Sequence, residues 1–367
     1  MIGCRQRIQE GIHNSGRVEY IDAIRGFVMI ILVMVHVEGF CFNITADMPS
    51  LISLLNVIML PFFFFISGLV GYKSYGELGV LTSIIILENR FRRLIITSLI
   101  FFLCFVYAKQ INLQEALESN SKAGYWFTYV LFEFLLLYVS IQLVFTKVKK
   151  HDKLQDFVFI CCGIGFYVAT MPSILERIPD QYGLIGILSI KHWRYFIYFV
   201  LGMLAKKHNI VFQRLLNGDV LITCCLVIFF LICICWDTAI SWHFNIICSI
   251  TSLSGIALVF NFFRIHSMFF SNETAVGRTL CFIGRRTLDI YFIHYFLLPL
   301  NMSHYVPLFC QYPVPIVELL VNAAISAAII AVSLSLGHIL RQSYFLSYLL
   351  FGEKVRKSSP KDVARRV

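Results

Sequence analysis

The sequence predicts an all-α integral membrane protein of about ten transmembrane helices with both termini cytoplasmic. Three observations carry that prediction. Hydrophobic residues make up 58% of the 367 and charged residues only 14%, against about half and about a quarter in a typical soluble domain. The apolar residues gather in runs suited to ~30 Å of hydrocarbon, without the succession of alternating ten-residue strands that marks a barrel. The basic residues stand between those runs and sort to one side of them.

Ten apolar stretches follow one another, at about 22–42, 50–72, 91–108, 125–146, 154–172, 193–206, 219–236, 244–263, 280–300 and 315–341. With the N-terminus inside, 26 of the 31 Lys and Arg residues fall on inner segments, a bias that agrees with an even number of spans. The sixth stretch is short at its core and is expected to begin nearer Leu184, while Gly76 to Glu88 reads as an amphipathic surface helix. Residues 1–16 form a cytoplasmic segment with no apolar run, so no cleavable signal peptide is expected. Residues 17–341 form one membrane domain, and 342–367 a basic cytoplasmic tail suited to an anionic inner leaflet. No internal repeat is evident, which weighs against an inverted-repeat transporter.

The net charge of +10 follows the topology, so nucleic acid is not an expected partner; the lipid bilayer is. The 12 cysteines include no Cys-x-x-Cys and sit mostly inside apolar runs. They read as small buried hydrophobes, and no metal site is expected. Cys41 and Cys310, on the outward side of this topology, leave one disulfide open.

The residues able to carry chemistry are the ionisable ones at depth. In YIDAIRGFVMIILVMVH, Arg25 and His36 stand ~16 Å apart along a helix. An arginine at the membrane surface therefore leaves the histidine near the midplane, where ionisable groups are costly and mark function. His294, in IGRRTLDIYFIHYF, lies ~15 Å above the inner surface; Glu133, in YWFTYVLFEFLLLY, lies ~12 Å below the outer one. The three are expected to converge on one water-accessible cavity, with a hydrogen-bonded staple between helices as the bland alternative. A neutral imidazole there can take a proton from a hydroxyl and return it. Arg90 and Arg93, in ENRFRRL, share a helix face on which planar guanidiniums grip phosphates, although a positive-inside cluster looks the same. Asp22 is placed to pair with Arg25, and Arg285 and Arg286 read as orientation signals. In PFFFFISGLVGY, Pro61, Gly68 and Gly71 read as kink and close packing.

Taken together these stretches resemble the acyltransferase family 3 group of integral membrane O-acyltransferases. The resemblance rests on an arginine followed after ten residues by a histidine in the first span (Arg25, His36) and on Arg-x-x-Arg before the third (Arg90, Arg93). FFFFISGLVGY, YWFTYVLFEFLLLY, YFIYFVLGMLAKK and IGRRTLDIYFIHYF are weaker echoes in the expected order. The resemblance implies transfer of an acyl group, usually acetyl, from cytoplasmic acyl-CoA to a carbohydrate or other hydroxyl acceptor across a cell membrane. It implies Arg90 and Arg93 on the CoA phosphates, His36 as general base or transient acyl carrier, and Arg25 lining the donor's entry or binding CoA oxygens. Many members carry a fused periplasmic esterase-like domain, for which no counterpart is expected here. The expectation is therefore that it completes transfer alone or hands the acyl group to a partner acyltransferase or glycan-assembly protein. Two other classes compete: a flippase for a polyprenyl-linked glycan, which has no need of a CoA-phosphate site, and an inactive scaffold subunit.

Overall fold

The computed structural model describes residues 18–42, 51–72, 80–148, 152–171, 186–234, 244–299, 302–305 and 315–352. Among these, every regular element is a helix. In order they are α1 (Glu19–His36), α2 (Leu51–Gly71), α3 (Val80–Phe91), α4 (Thr97–Ala108), α5 (Leu113–Glu118), α6 (Trp126–Val148), α7 (Asp152–Ala169) and α8 (Phe196–Lys207). Then come α9 (Asn209–Leu216), α10 (Asp219–Ile234), α11 (Phe244–Ile265), α12 (Ala275–Arg285), α13 (Thr287–Leu297), α14 (Pro315–Gln342) and α15 (Tyr344–Phe351). Two π-helical turns interrupt the α geometry, Val37–Cys41 after α1 and Arg92–Ile96 between α3 and α4.

Among the described residues, five stretches are long and apolar enough to cross a membrane: Glu19–Cys41, Thr82–Ala108, Trp126–Thr146, Ile246–Ile265 and Ile316–Gln342. A sixth arises if α9 and α10, bent by 66°, act as one. The surface helix expected over Gly76 to Glu88 is not separate among the described residues: α3 runs on through its π turn into α4, and Thr82–Ala108 forms one stretch long enough to cross.

Two helices are short yet interior. The 12 residues of α8 and the 11 of α13 reach only ~18 and ~16 Å. Thr287 and every residue from Asp289 to Tyr295 are nevertheless buried, so α13 is sheltered by protein rather than exposed to lipid. The single span expected over 280–300 is instead broken at Arg286 into α12 and α13. Cys281 and Gly284 of α12 lie against α1, at Glu19 O and Asp22 O, while Gly277 packs on Phe270 and Ser271.

Glycine sets the closest approaches. A Cβ at Gly26 would lie 2.1 Å from the Leu280 carbonyl oxygen, and one at Gly284 would lie 1.8 Å from that of Asp22. The α2–α8 pair repeats the device, with Gly68 against Phe199 O at 2.0 Å and Gly202 against Phe65 O at 1.8 Å. In lipid, where no hydrophobic drive joins helices, such backbone contact supplies the packing. Gly68 is thus a packing residue as expected; a Cβ at Gly71 would meet only Leu135, at an ordinary 3.8 Å. Around these pairs the core is aromatic: Phe64 touches the rings of Trp126, Phe127, Phe134 and Tyr195. Cys41 is buried; Cys310, the segment 1–16 and the tail beyond 352 lie outside the described residues.

Candidate active site

The first helix begins with Glu19 and Asp22 in its first turn, where the helix dipole favours anions. It ends at His36, and the π turn that follows is a geometry found mostly at functional sites. Asn322 of α14, itself buried, donates its amide to Met34 O at 3.0 Å and so braces the junction.

Hydrogen bonds at both ends tie α1 to α13. Near their starts, Arg25 Nη2 donates to Thr287 Oγ1 at 3.2 Å; further along, His36 Nδ1 and His294 Nε2 are 2.8 Å apart. The two helices therefore run in the same direction, with a basic end and a histidine end separated by ~16 Å of α1.

The hydrogen bonds also determine which ring nitrogen keeps a lone pair. His294 Nδ1 lies 2.9 Å from Ile290 O. A carbonyl only accepts, so Nδ1 carries the hydrogen, and the neutral ring presents a lone pair at Nε2. His36 Nδ1 must then donate to it, which leaves the second lone pair of the relay on His36 Nε2. The relay runs from backbone carbonyl through a fully buried imidazole to a half-buried one.

Facing His36 Nε2 is the Tyr295 hydroxyl, 3.4 Å away and 3.2 Å from Gly124 O. Tyr291 donates to the same carbonyl at 2.9 Å and accepts from Phe127 N at 3.2 Å. That carbonyl belongs to a strained turn: Lys122, Ala123 and Gly124 have φ of +44°, +50° and +97°. Consecutive left-handed residues of this kind are costly and concentrate at functional sites. Phe40, half exposed, edges against both His36 and Tyr295.

Glu133 has partners of its own. Its Oε2 accepts from Trp193 Nε1 at 2.8 Å, and Tyr129 and the charge of Lys122 are its other neighbours. Neither histidine is among these partners; of the three residues expected to converge, His36 and His294 are joined directly by a hydrogen bond. Lys122, buried, donates its ammonium to Gly186 O at 2.9 Å and Leu117 O at 3.2 Å. Burial pushes its pKa down to about 8, the nearby Glu133 charge opposing the shift.

At the basic end, Arg25 also faces buried Asp22 at 3.6 Å. Buried Asp289 accepts from Arg341 Nε at 2.9 Å and pairs with Arg286 at 3.3 Å. Arg341 lies 4.0 Å over the Phe351 ring, and the next residue, Gly352, packs on Arg93. Arg92 is held by Glu88 at 3.0 Å and lies over Tyr348, whereas Arg90 and Arg93 are exposed. A continuous chain of contacts thus joins the helix bearing Thr287, the partner of Arg25, to the Arg-x-x-Arg motif. Arg286, expected to serve orientation, has a defined acidic partner.

The functional neighbours that sequence reasoning missed are Tyr295, Asn322, Asp289 and Arg341. Asp289 was legible as a lone carboxylate three residues after Arg286; the others carried no local signal. A cavity of about 380 Å³ between α8, α9 and α11 is lined by Leu204, Phe212, Phe260 and other apolar groups, and it touches neither histidine. Among the described residues no cluster of ligands fits a metal ion.

Comparison with curated proteins and with solved structures finds no match. A family model, that of an acyltransferase domain, matches residues 18–338. That stretch takes in Arg25, His36, Arg90, Arg93, Glu133 and His294 and nearly the whole chain, so this multi-pass membrane protein belongs to the acyltransferase 3 family.

Proposed function

We propose that the protein is a cell-membrane O-acyltransferase. In this reading it moves an acyl group, acetyl in the first instance, from cytoplasmic acyl-CoA to a hydroxyl of a surface polysaccharide, a lipid-linked glycan or another sugar. The chain crosses the membrane ten times with both ends in the cytoplasm, the shorter helices completing spans that the five long ones begin.

The observation that carries the reading is the relay from Ile290 O through His294 to His36, which leaves a lone pair on His36 Nε2. A hydroxyl is a poor nucleophile until its proton is taken, and a positioned imidazole takes it at neutral pH. The donor's charged end belongs at the opposite end of α1. Exposed Arg90 and Arg93 offer ten N–H donors between them for phosphate oxygens, and the thin acylated arm then covers the ~16 Å from Arg25 to His36. A partner acyltransferase or glycan-assembly protein is the natural supplier of the acceptor.

The test is acetyl-CoA binding and slow hydrolysis by the purified protein in nanodiscs, with and without His36→Ala. Binding by both, with free CoA released only by the wild type, supports the reading. Absence of binding by folded protein overturns it in favour of a flippase.

A further inference from the structure

We propose that Tyr295 donates its phenol hydrogen to the oxyanion formed during transfer, an assignment that rests on the acyltransferase reading above. The relay fixes His36 Nε2 as an acceptor, so only the phenol can supply a hydrogen across the 3.4 Å between them. That hydrogen has a second destination, Gly124 O at 3.2 Å, which already receives the Tyr291 hydroxyl at 2.9 Å. It is therefore held at long range by a nitrogen and a carbonyl already in use. An anionic oxygen entering the same space is a stronger acceptor than either.

The phenol is fixed in place by its surroundings. Its ring packs against His36, Phe40, Phe105 and Tyr125. A Cβ at Gly124 would stand 2.4 Å from Tyr295 Cζ and 2.7 Å from its oxygen, and φ of +97° there suits glycine alone. The strain in Lys122 and Ala123 thus has a local consequence: it leads into Gly124, whose carbonyl, without a side chain, is brought against this hydroxyl.

A proton acceptor and a hydrogen-bond donor side by side match the two oxygens of one tetrahedral carbon. The acceptor oxygen bonds to the thioester carbonyl carbon and gives its proton to His36 Nε2. The carbonyl π pair moves onto oxygen, where Tyr295 meets it. Collapse restores the C=O and breaks the C–S bond; the sulfur leaves with the electron pair and takes the proton from Nε2. Acyl-CoA and alcohol become ester and free CoA, with His36 and Tyr295 returned unchanged.

The experiment compares wild type, Tyr295→Phe and His36→Ala in nanodiscs, using acetyl-CoA turnover and binding of a trifluoromethyl-ketone analogue of acetyl-CoA, whose hydrate mimics the tetrahedral species. Tyr295→Phe keeps the ring and is expected to lower kcat by about 10²–10³ while leaving KM for acetyl-CoA within about twofold. It should also weaken the ketone analogue at least tenfold while acetyl-CoA itself binds as before. Wild-type kcat in Tyr295→Phe, or equal weakening of both ligands, overturns the proposal and leaves the acyltransferase reading standing. Turnover that survives His36→Ala overturns both.

Discussion

His36 Nδ1 and His294 Nε2 stand 2.8 Å apart, and the far nitrogen of His294 ends on a backbone carbonyl rather than a carboxylate. A carboxylate behind the dyad would place a full negative charge next to the imidazolium that forms during catalysis. The Ile290 carbonyl contributes only a dipole, so the relay holds tautomer and ring orientation without committing the base to protonation. This suits a site inside a membrane, where a buried unpaired charge is expensive.

The relay predicts a graded response at position 294. His294→Leu removes the acceptor for His36 Nδ1–H and frees both ring orientation and tautomer. The expected loss in kcat is about 100-fold, within the range for general-base positioning, with KM for acetyl-CoA unchanged. His294→Gln can present an amide oxygen near the former Nε2 and should recover most of that loss. Steady-state kinetics on the two variants checks this; a wild-type rate for His294→Leu would remove the relay from the mechanism.

At the basic end, the two exposed arginines are separable from the occupied one. Replacing Arg90 and Arg93 together by Ala removes two charge-assisted contacts at ~1.5–3 kcal/mol each, and KM for acetyl-CoA should rise well over tenfold. Arg92 is already held by Glu88 at 3.0 Å. Arg92→Ala should therefore shift KM by less than about threefold, since exposed ion pairs of this kind contribute little. Equal effects in the two variants would mark the whole cluster as topological.

Close packing gives a third prediction. A methyl at Gly284 would sit 1.8 Å from Asp22 O, a backbone atom that cannot swing aside, so α12 must lift from α1. Gly284→Ala should cost at least about 1–3 kcal/mol, seen as a lower unfolding temperature in detergent. Gly165, within α7, has nothing within 4 Å of an added Cβ. There the same substitution should be neutral or stabilising by up to ~1 kcal/mol.

The all-helical membrane class was legible, and so was the meeting of His36 with His294, because each depends on local pattern: apolar runs, and ionisable residues at countable depth. Depth alone is one coordinate, however. It brought Glu133 to the histidines' level without revealing which side of α6 it occupies, and its carboxylate is bonded to Trp193. The break at Arg286 was hidden because residues 280–300 read as a single apolar run, and the packing of Leu280, Cys281 and Gly284 on α1 is a tertiary contact that local pattern does not show. Tyr295 was invisible for a related reason. Its place opposite His36 is produced by a strained turn 171 residues earlier in the chain, at Gly124.

That turn supplies a prediction with a pH sign. Lys122 is buried beside Ala123 and Gly124, and its pKa in the folded protein is about 8 against an ordinary 10.5. Below pH 8 both folded and unfolded forms carry the proton, and the burial penalty is fully present. Between about 8 and 10.5 the folded form releases it first, the unfolded chain holds more protons, and stability rises with pH. Other groups titrate in the same window, so the measurement is the difference in unfolding temperature between wild type and Lys122→Met from pH 7 to 10.5. The wild type should gain on the variant as pH rises. A difference that stays flat would mean that Lys122 keeps its charge throughout, and that its bonds to Gly186 and Leu117 form without the burial that displaces its pKa.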